Sequence, residues 1–308
     1  MFILKKIAKK IFYMKDVDNH YVFCFLGIKL KIKHKSYITA PVVTEMGILS
    51  SSKFRNPKVI VSLTSFPARI YAVVKTLSTL LTQTLKPDLV ILWLAREQFK
   101  NQSLPKELTD LQEFGLSIKW CDNLRSYKKL IPTLREFPND IIITADDDIY
   151  YQPTALERLY NSYLENPKAV ICHRVSRIKL KNNCINLIKN FDYCSVVGIP
   201  SYLNFLIGGA LVLYPPNVLH SNILDERFFL DFLPTHDDVF FWAMAVLKDT
   251  KISIARGNLF SLNYVEGTQQ YGLVKINKNR GSGLPISQAF NRVIRYYPAI
   301  VEKLKNEI

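Results

Sequence analysis

The sequence predicts an α/β protein, a mostly parallel sheet flanked by helices and preceded by a small basic extension. Two observations lead there. From Pro57 onward, short apolar runs alternate with stretches of helical periodicity, which is the signature of parallel βαβ units. The strongest of those runs, IIITADDDIY at 141–150, is apolar and β-branched enough for a strand covered on both faces, and it runs directly into three aspartates.

The elements follow in order. Residues 1–55 read as a separate basic segment. MFILKKIAKKIFYMK places apolar residues and lysines at helical spacing, the pattern of a basic amphipathic helix. Tyr21–Lys35 (YVFCFLGIKLKIKHK) alternates apolar and lysine residues around Gly27 and reads as a hairpin. Ser50–Asn56 (SSSKFRN) reads as a linker into a domain covering 56–308. Within that domain Lys58–Leu63 is a predicted strand, Ile70–Gln83 a helix, Leu89–Leu94 a strand, Leu104–Phe114 a helix, and Leu116–Trp120 a third strand. A helix over Tyr127–Phe137 then leads to the strand Asp140–Ala145. The second half carries predicted strands at Ala169–Arg174 and Gly209–Tyr214 and a helix at Asp237–Leu247.

Composition narrows the function. With 48% hydrophobic and 22% charged residues the chain is of globular type, and no apolar run approaches the roughly 20 residues that span a bilayer. Five scattered cysteines without a CxxC pair support neither a disulfide framework nor a zinc ribbon. The net charge of +15 asks for an anionic partner. No zinc finger, RRM-like aromatic motif or basic recognition helix is present, so nucleic acid is not expected. Nine lysines, from Lys5 to Lys35, fall in the first 35 residues, interleaved with Phe2, Ile3, Leu4, Ile7, Ile11 and Phe12. That segment suits an anionic membrane surface, and without a small-residue cleavage site it is a poor signal peptide. The expected location is cytoplasmic, peripheral on the inner face of the plasma membrane.

Candidate chemistry lies at the ends of these elements. Asp146, Asp147 and Asp148 place like charges on consecutive residues, where a hard divalent cation relieves their repulsion. The first strand ends in Thr64-Ser65-Phe66-Pro67-Ala68-Arg69, whose hydroxyls suit a base or ribose and whose arginine suits a phosphate. Neither GxGxxG nor GxxxxGK[ST] occurs. Arg125-Ser126-Tyr127-Lys128-Lys129 offers cations to a diphosphate, and Arg174 could face the same cleft, whereas the lone His173 reads as structural. Gly208-Gly209 opens a strand, where a substrate ring can approach the backbone and a bulge explains the pair equally well. A second acidic pair, Asp237-Asp238, stands at a helix start. Such carboxylates ordinarily cap, but about ninety residues after the triplet they also suit a general base. Phe241 and Trp242 beside them offer either a sugar-stacking surface or an apolar helix face.

Taken in order, these residues resemble a GT-A glycosyltransferase of the inverting, family-2-like kind that builds bacterial lipopolysaccharide and capsule sugars. The resemblance covers most of Lys58 to about Tyr271 and implies a GT-A (Rossmann-like) mixed, mostly parallel sheet. The family's opening strand and nucleotide turn match Val59–Arg69, placing Thr64, Ser65, Pro67 and Arg69 at the donor, together with Lys128. Its DXD motif matches Asp146–Asp148. Asp146 and Asp148 would hold the metal, and Asp146 and Asp147 would face the donor's diphosphate. Its acidic base motif corresponds to Asp237-Asp238, which makes Asp238 the base; Asp237 stands where the family usually has glutamate. The phrase Gly27-Ile28-Lys29-Leu30-Lys31 after a lysine-rich start is also similar to cell-surface glycosyltransferases. The resemblance implies a nucleotide-sugar donor, UDP-linked, with Mg²⁺ or Mn²⁺, and a glycan or glycolipid acceptor. With no histidine after His236, a C-terminal histidine ligand is not expected. Three other readings stay open: a retaining glycosyltransferase, since the sequence does not show which face of the sugar Asp238 addresses, a non-catalytic membrane or polyanion adaptor, and a nucleotidyltransferase on a similar sheet. The last normally carries a glycine-rich loop where this chain has SFPARI.

Overall fold

The computed structural model describes residues 39–100, 103–188, 191–257, 262–273, 277 and 284–307, with backbone alone for 193–194 and for the strands within 12–33. Seven strands form the central sheet: β1 (Val59–Thr64), β2 (Leu89–Ala95), β3 (Leu116–Cys121), β4 (Ile141–Ala145), β5 (Val170–Cys172), β6 (Val212–Tyr214) and β7 (Ile252–Ile254). Their spatial order is β3-β2-β1-β4-β6-β5-β7. β1 runs parallel to β2 and β4, β2 to β3, and β5 to β7, while β6 is antiparallel to β4 and β5. The molecule is therefore α/β, with a mixed and mostly parallel sheet of Rossmann-like type.

The order matters because the chain works outward from β1 to β3 on one side and resumes beside β1 with β4. Ligands of open α/β sheets bind outside the carboxyl ends of the strands at such a switch point. The two strands flanking it end in Ser65–Arg69 and in Asp146–Asp148.

Both faces of the sheet are covered, which explains the unbroken apolar runs. Along β1 and β4 alternate side chains go to opposite faces. Val59, Val61, Leu63, Ile141 and Ile143 pack with the buried stripes of α1 (Val73–Leu81) and α3 (Ala155–Glu165). Ile142 points the other way, into a core built on α5 (Asp237–Leu247) with α4 (Glu226–Phe232), α6 (Ile286–Tyr296) and α7 (Ala299–Lys305). Residues 43–55, before the expected domain start, lie against this domain. Val43 joins the α1-side core, and Arg55 reaches Asp88. Among the described residues no helix is long and apolar enough to cross a membrane.

Several elements differ from expectation. The helical reading of the N-terminus fails at its end, because Phe12–Val17 is a strand paired antiparallel with His20–Phe25. Its aromatic and β-branched residues favour an extended chain once a partner strand supplies the ladder. Residues 1–11 lie outside the described residues, while the hairpin around Gly27 is present as His20–Phe25 against Ile28–Lys33. Tyr127–Phe137 is not one helix: a 3-10 turn, Arg125–Lys129, precedes α2 (Ile131–Glu136). Pro132 sits in the first turn of α2, where its missing N–H costs nothing. Leu104–Phe114 shortens to one turn, Lys106–Thr109, and a 3-10 turn closed by Gly115 at φ 102°. Gly208 and Gly209 do not open a strand; they lie in a 3-10 turn, Gly208–Ala210, and β6 begins at Val212.

Candidate functional site

Two acidic clusters, about ninety residues apart in sequence, meet at one lysine. β4 delivers Asp146–Asp148 past its carboxyl end, and α5 begins at Asp237. The 3-10 turn before α2 inserts Lys129 between them. Its buried ammonium pairs with Asp146 Oδ1 at 2.9 Å and with Asp237 Oδ2 at 2.8 Å. Burial opposes the charge on Lys129, but Asp146 and Asp237 outweigh it and hold the ammonium well above its usual range.

Within the triplet each carboxylate has its own surroundings. Asp147 is 5% exposed and fully engaged: Oδ1 accepts from Arg69 Nη1 at 2.6 Å and Oδ2 from the Ser65 hydroxyl at 2.6 Å. Asp148 Oδ2 meets Arg69 Nη2 at 3.0 Å and the Gln269 amide at 2.8 Å. Burial, and then the charge of Asp146, push the Asp148 carboxyl up to about 7. Asp146 is more open, with its side chain 35% exposed; its backbone N–H donates to Tyr151 Oη, which in turn donates to the Gly209 carbonyl. Burial also works against charge on Arg69, but Asp147 and Asp148 outweigh it and raise the guanidinium.

The pair divides in the same way. Asp237 is buried between Lys129 and the Ser126 hydroxyl, which donates to Oδ1 at 3.0 Å. Burial disfavours its charge, yet these partners hold the carboxyl below its usual range. Asp238 is half-buried and accepts the Gly208 backbone N–H at 3.0 Å. Burial, and then the charge of Asp237, push it up to about 7.

The glycine pair forms bare backbone between the two clusters. A Cβ on Gly208 would stand 2.2 Å from Asp238 Oδ1 and 3.1 Å from Lys129 Nζ, and one on Gly209 would stand 3.0 Å from Asp146 Oδ2. Any side chain here would push into the carboxylates, so the residues are small for close approach and not for a bulge.

The structure brings Ser65, Arg69, Asp146, Asp147, Asp148, Asp237 and Asp238 into one region, but it changes several expected roles. Ser65 and Arg69 bind Asp147 and Asp148, so their polar groups serve the triplet first. Asp147 faces those partners and is a scaffold carboxylate, its two oxygens already taken. Thr64 donates its hydroxyl to the Trp93 carbonyl on β2 and is spent on the sheet. Pro67 starts the 3-10 turn that aims Arg69. Lys128 is buried and donates to Gln98 Oε1 at 3.1 Å; among the described residues no carboxylate pairs with it, and burial lowers its ammonium. Phe241 and Trp242 lie fully in the core, with the Trp242 indole N–H on the Tyr202 carbonyl, so neither stacks on a sugar. His173 is buried, with Nε2 on the Ala155 carbonyl, and burial lowers it to about 4.

Sequence reasoning missed Lys129 as the bridge, Ser126 as its partner on Asp237, and Gln269. A lysine beside two candidate clusters was visible, but its choice between them is a matter of tertiary distance. Gln269 sits on a segment anchored by Asn263–Tyr264 pairing with Ile149–Tyr150 and by the Val265 N–H on the Asp148 carbonyl. Nothing in its neighbourhood of the sequence signals that contact. A cavity of about 330 Å³ lies at the carboxyl ends of β2 and β3, lined by Arg96, Cys121, Asp122, Leu124, Pro132, Arg135 and Glu136.

The residues suit a divalent cation only as a shared site. Among the described residues neither Asp146 Oδ2 nor Asp148 Oδ1 meets a protein donor, and their mutual repulsion is part of what lifts Asp148. Among the described residues, too, no group of three or more His, Cys, Asp or Glu side chains forms a cation cage. Two free carboxylate oxygens therefore fit an ion that takes its other ligands from a bound phosphate and water. No protein-family model matches the sequence, and no curated protein matches it either.

Proposed function

We propose that this protein is a metal-assisted glycosyltransferase that moves a sugar from a nucleoside-diphosphate sugar to a hydroxyl of a glycan or glycolipid acceptor. One observation supports the reading: a single buried ammonium, Lys129, pairs with both Asp146, the candidate donor anchor, and Asp237, the neighbour of the candidate base Asp238, beside the β1/β4 switch point.

The division of labour follows from the surroundings. Asp146 and Asp148 are the residues to hold Mg²⁺ or Mn²⁺, and such an ion offsets negative charge on a departing nucleoside diphosphate. Asp147 fixes Arg69 and Ser65 and thereby the turn after β1. Asp237, held ionised by Lys129 and Ser126, is a poor proton acceptor. Asp238 has one backbone donor and a carboxyl near 7, the range in which a general base is both ionised and basic enough at neutral pH. The acceptor hydroxyl gives its proton to Asp238 as its oxygen bonds to the anomeric carbon. The bond from that carbon to the diphosphate oxygen breaks in line, which inverts the centre. Bare backbone at Gly208-Gly209 lets Asp238, Lys129 and Asp146 close in on that turn, which keeps the two clusters together. The excess of basic residues and the lysine-rich first 35 residues support a place on the inner, anionic membrane surface, where lipid-linked acceptors reside.

The test is a screen of nucleotide sugars for hydrolysis with and without EDTA, alongside thermal unfolding with UDP and Mn²⁺. Ligand at about 100 times Kd stabilises a folded protein by about 2.7 kcal/mol, a readily seen shift in Tm. A protein that shows neither EDTA-sensitive turnover nor a shift with UDP and Mn²⁺ is not this enzyme.

A further inference from the structure

We infer that Lys129 is a positioning residue, a strut whose ammonium sets the spacing between the donor-binding end of the cleft at Asp146 and the proton-accepting end at Asp237-Asp238. The inference rests on the glycosyltransferase reading and adds a residue that neither acidic motif contains.

The geometry argues for a strut and against a surface ion pair. The Lys129 side chain is 6% exposed, and its two carboxylate contacts, at 2.9 and 2.8 Å, come from the end of β4 and the start of α5, which among the described residues share no other charged partner. A buried pair of this kind is costly to break, because removing one member leaves an uncompensated buried charge. Its backbone position is fixed as well: Tyr127, two residues earlier, donates its hydroxyl to the Leu233 carbonyl and stacks on Phe229 with ring centroids 4.3 Å apart. The turn that carries Lys129 is thus clamped to the segment leading into α5. Lys129 also lies beside Gly208, the residue whose N–H holds Asp238.

The same placement sorts the two carboxylates of the pair. Ser126 donates to one oxygen of Asp237 and the Lys129 ammonium stands against the other as an ion pair, while among the described residues Asp238 has a single backbone donor. Among the described residues the charged and titratable groups that face Asp238 are Asp237 on its own helix, Lys129 and Tyr127 on the turn, Asp146 beyond β4, Cys172 on β5 and Tyr214 on β6. Lys129 is the one cation among these six, so it is the group that keeps Asp238 ionisable near neutrality.

Two variants separate spacing from charge. Lys129→Met removes both. Turnover should fall on the order of 10²-fold, the cost of a misplaced reacting group, with a smaller change in donor KM. The acid limb of the kcat/KM profile should move to higher pH by about one unit, because a carboxylate that loses a nearby cation binds its proton more tightly. Lys129→Arg retains the charge but cannot present one compact nitrogen to both carboxylates. Its acid limb should stay in place while turnover still falls. A Lys129→Met enzyme with an unmoved acid limb, or one whose loss lies wholly in donor KM, overturns the inference. If Lys129→Met does not fold, Lys129→Arg decides, and wild-type turnover in that variant overturns it. Carbon NMR titration of the aspartate carboxyls, without substrate, keeps the two readings apart. An upward move of the Asp238 signal in Lys129→Met, in a protein that transfers no sugar, upholds the strut and defeats the glycosyltransferase reading.

Discussion

The aspartate triplet after β4 and the aspartate pair opening α5 look alike in sequence and are built alike in space. Each contains one carboxylate consumed by the fold and a neighbour left available. In the triplet the consumed residue is Asp147, tied to Arg69 and Ser65; in the pair it is Asp237, tied to Lys129 and Ser126. Each tie uses one cation and one hydroxyl. The difference lies in what remains. The triplet retains two oxygens without protein donors, Asp146 Oδ2 and Asp148 Oδ1, an arrangement that a bridging cation suits. The pair retains one carboxylate, Asp238, with a single backbone donor, an arrangement that suits proton transfer. Runs of like charge therefore need not act together: the protein's own cations decide which member is scaffold and which is reagent.

The largest effects should separate the two clusters by kind of defect. Asp238→Asn removes the base and should lower turnover by about 10²–10⁴-fold while UDP and Mn²⁺ still raise Tm. Asp148→Asn should do the reverse, weakening the Mn²⁺-dependent UDP shift first. Calorimetric titration of UDP with Mn²⁺ into both variants checks this. Equal loss of donor affinity in the two would erase the distinction between anchor and base.

Within a cluster, the contrast between scaffold and reagent should appear as stability. Asp147→Ala leaves Arg69 with Asp148 alone and takes the acceptor from the buried Ser65 hydroxyl, and a buried donor left without its partner costs on the order of 1–3 kcal/mol. Asp146 is more exposed, and its partner Lys129 keeps Asp237, so Asp146→Ala should unfold in urea close to wild type. Urea midpoints for the two variants provide the comparison. A wild-type midpoint for Asp147→Ala would mean that Arg69 does not depend on it.

How much of this was legible beforehand differs between the two clusters and the fold. The α/β class and β1–β4 were legible because both-face burial writes continuous apolar runs such as VIVSLT and IIITA. β7, α3, α4, α6 and α7 were not: β7 and α4 are short, but α3 and α6 each carry an apolar stripe over eleven residues that went unread. Asp146–Asp148 and Asp237-Asp238 stood out as charge runs at element ends. Their internal division did not, because it depends on Lys129, Ser126 and Arg69 arriving from elsewhere in the chain. Thr64 was misread because its hydroxyl faces the sheet, and of the two readings open for Trp242 the apolar helix face is the one the core bears out.

The remaining effect is a pH dependence of stability, and its sign sharpens the comparison. Asp148 and Asp238 are both pushed up to about 7 in the folded protein, above the 3.8 of an ordinary aspartate. Between those two values the folded state holds protons that the unfolded state has released. Stability therefore falls as pH rises through about 4 to 7 and levels off above, where both states are ionised. Asp147, which burial also raises, adds in the same sense, whereas Asp237, held below its usual range, and His173, whose imidazole burial lowers from 6.5 to about 4, contribute in the opposite sense and lose stability toward acid. The ligand-free protein should thus show a higher urea midpoint at about pH 5 than at about pH 8, with Asp148→Asn and Asp238→Asn each flattening part of that slope. Mn²⁺ with UDP should raise the midpoint more at the higher pH, because a bound cation relieves Asp148 in its ionised form. The same addition to Asp148→Asn should leave the remaining slope, due to Asp238, in place. A midpoint that climbs from pH 5 to 8 without ligand would show that neither carboxylate is held against its charge, and the triplet and the pair would then both be ordinary capping acids.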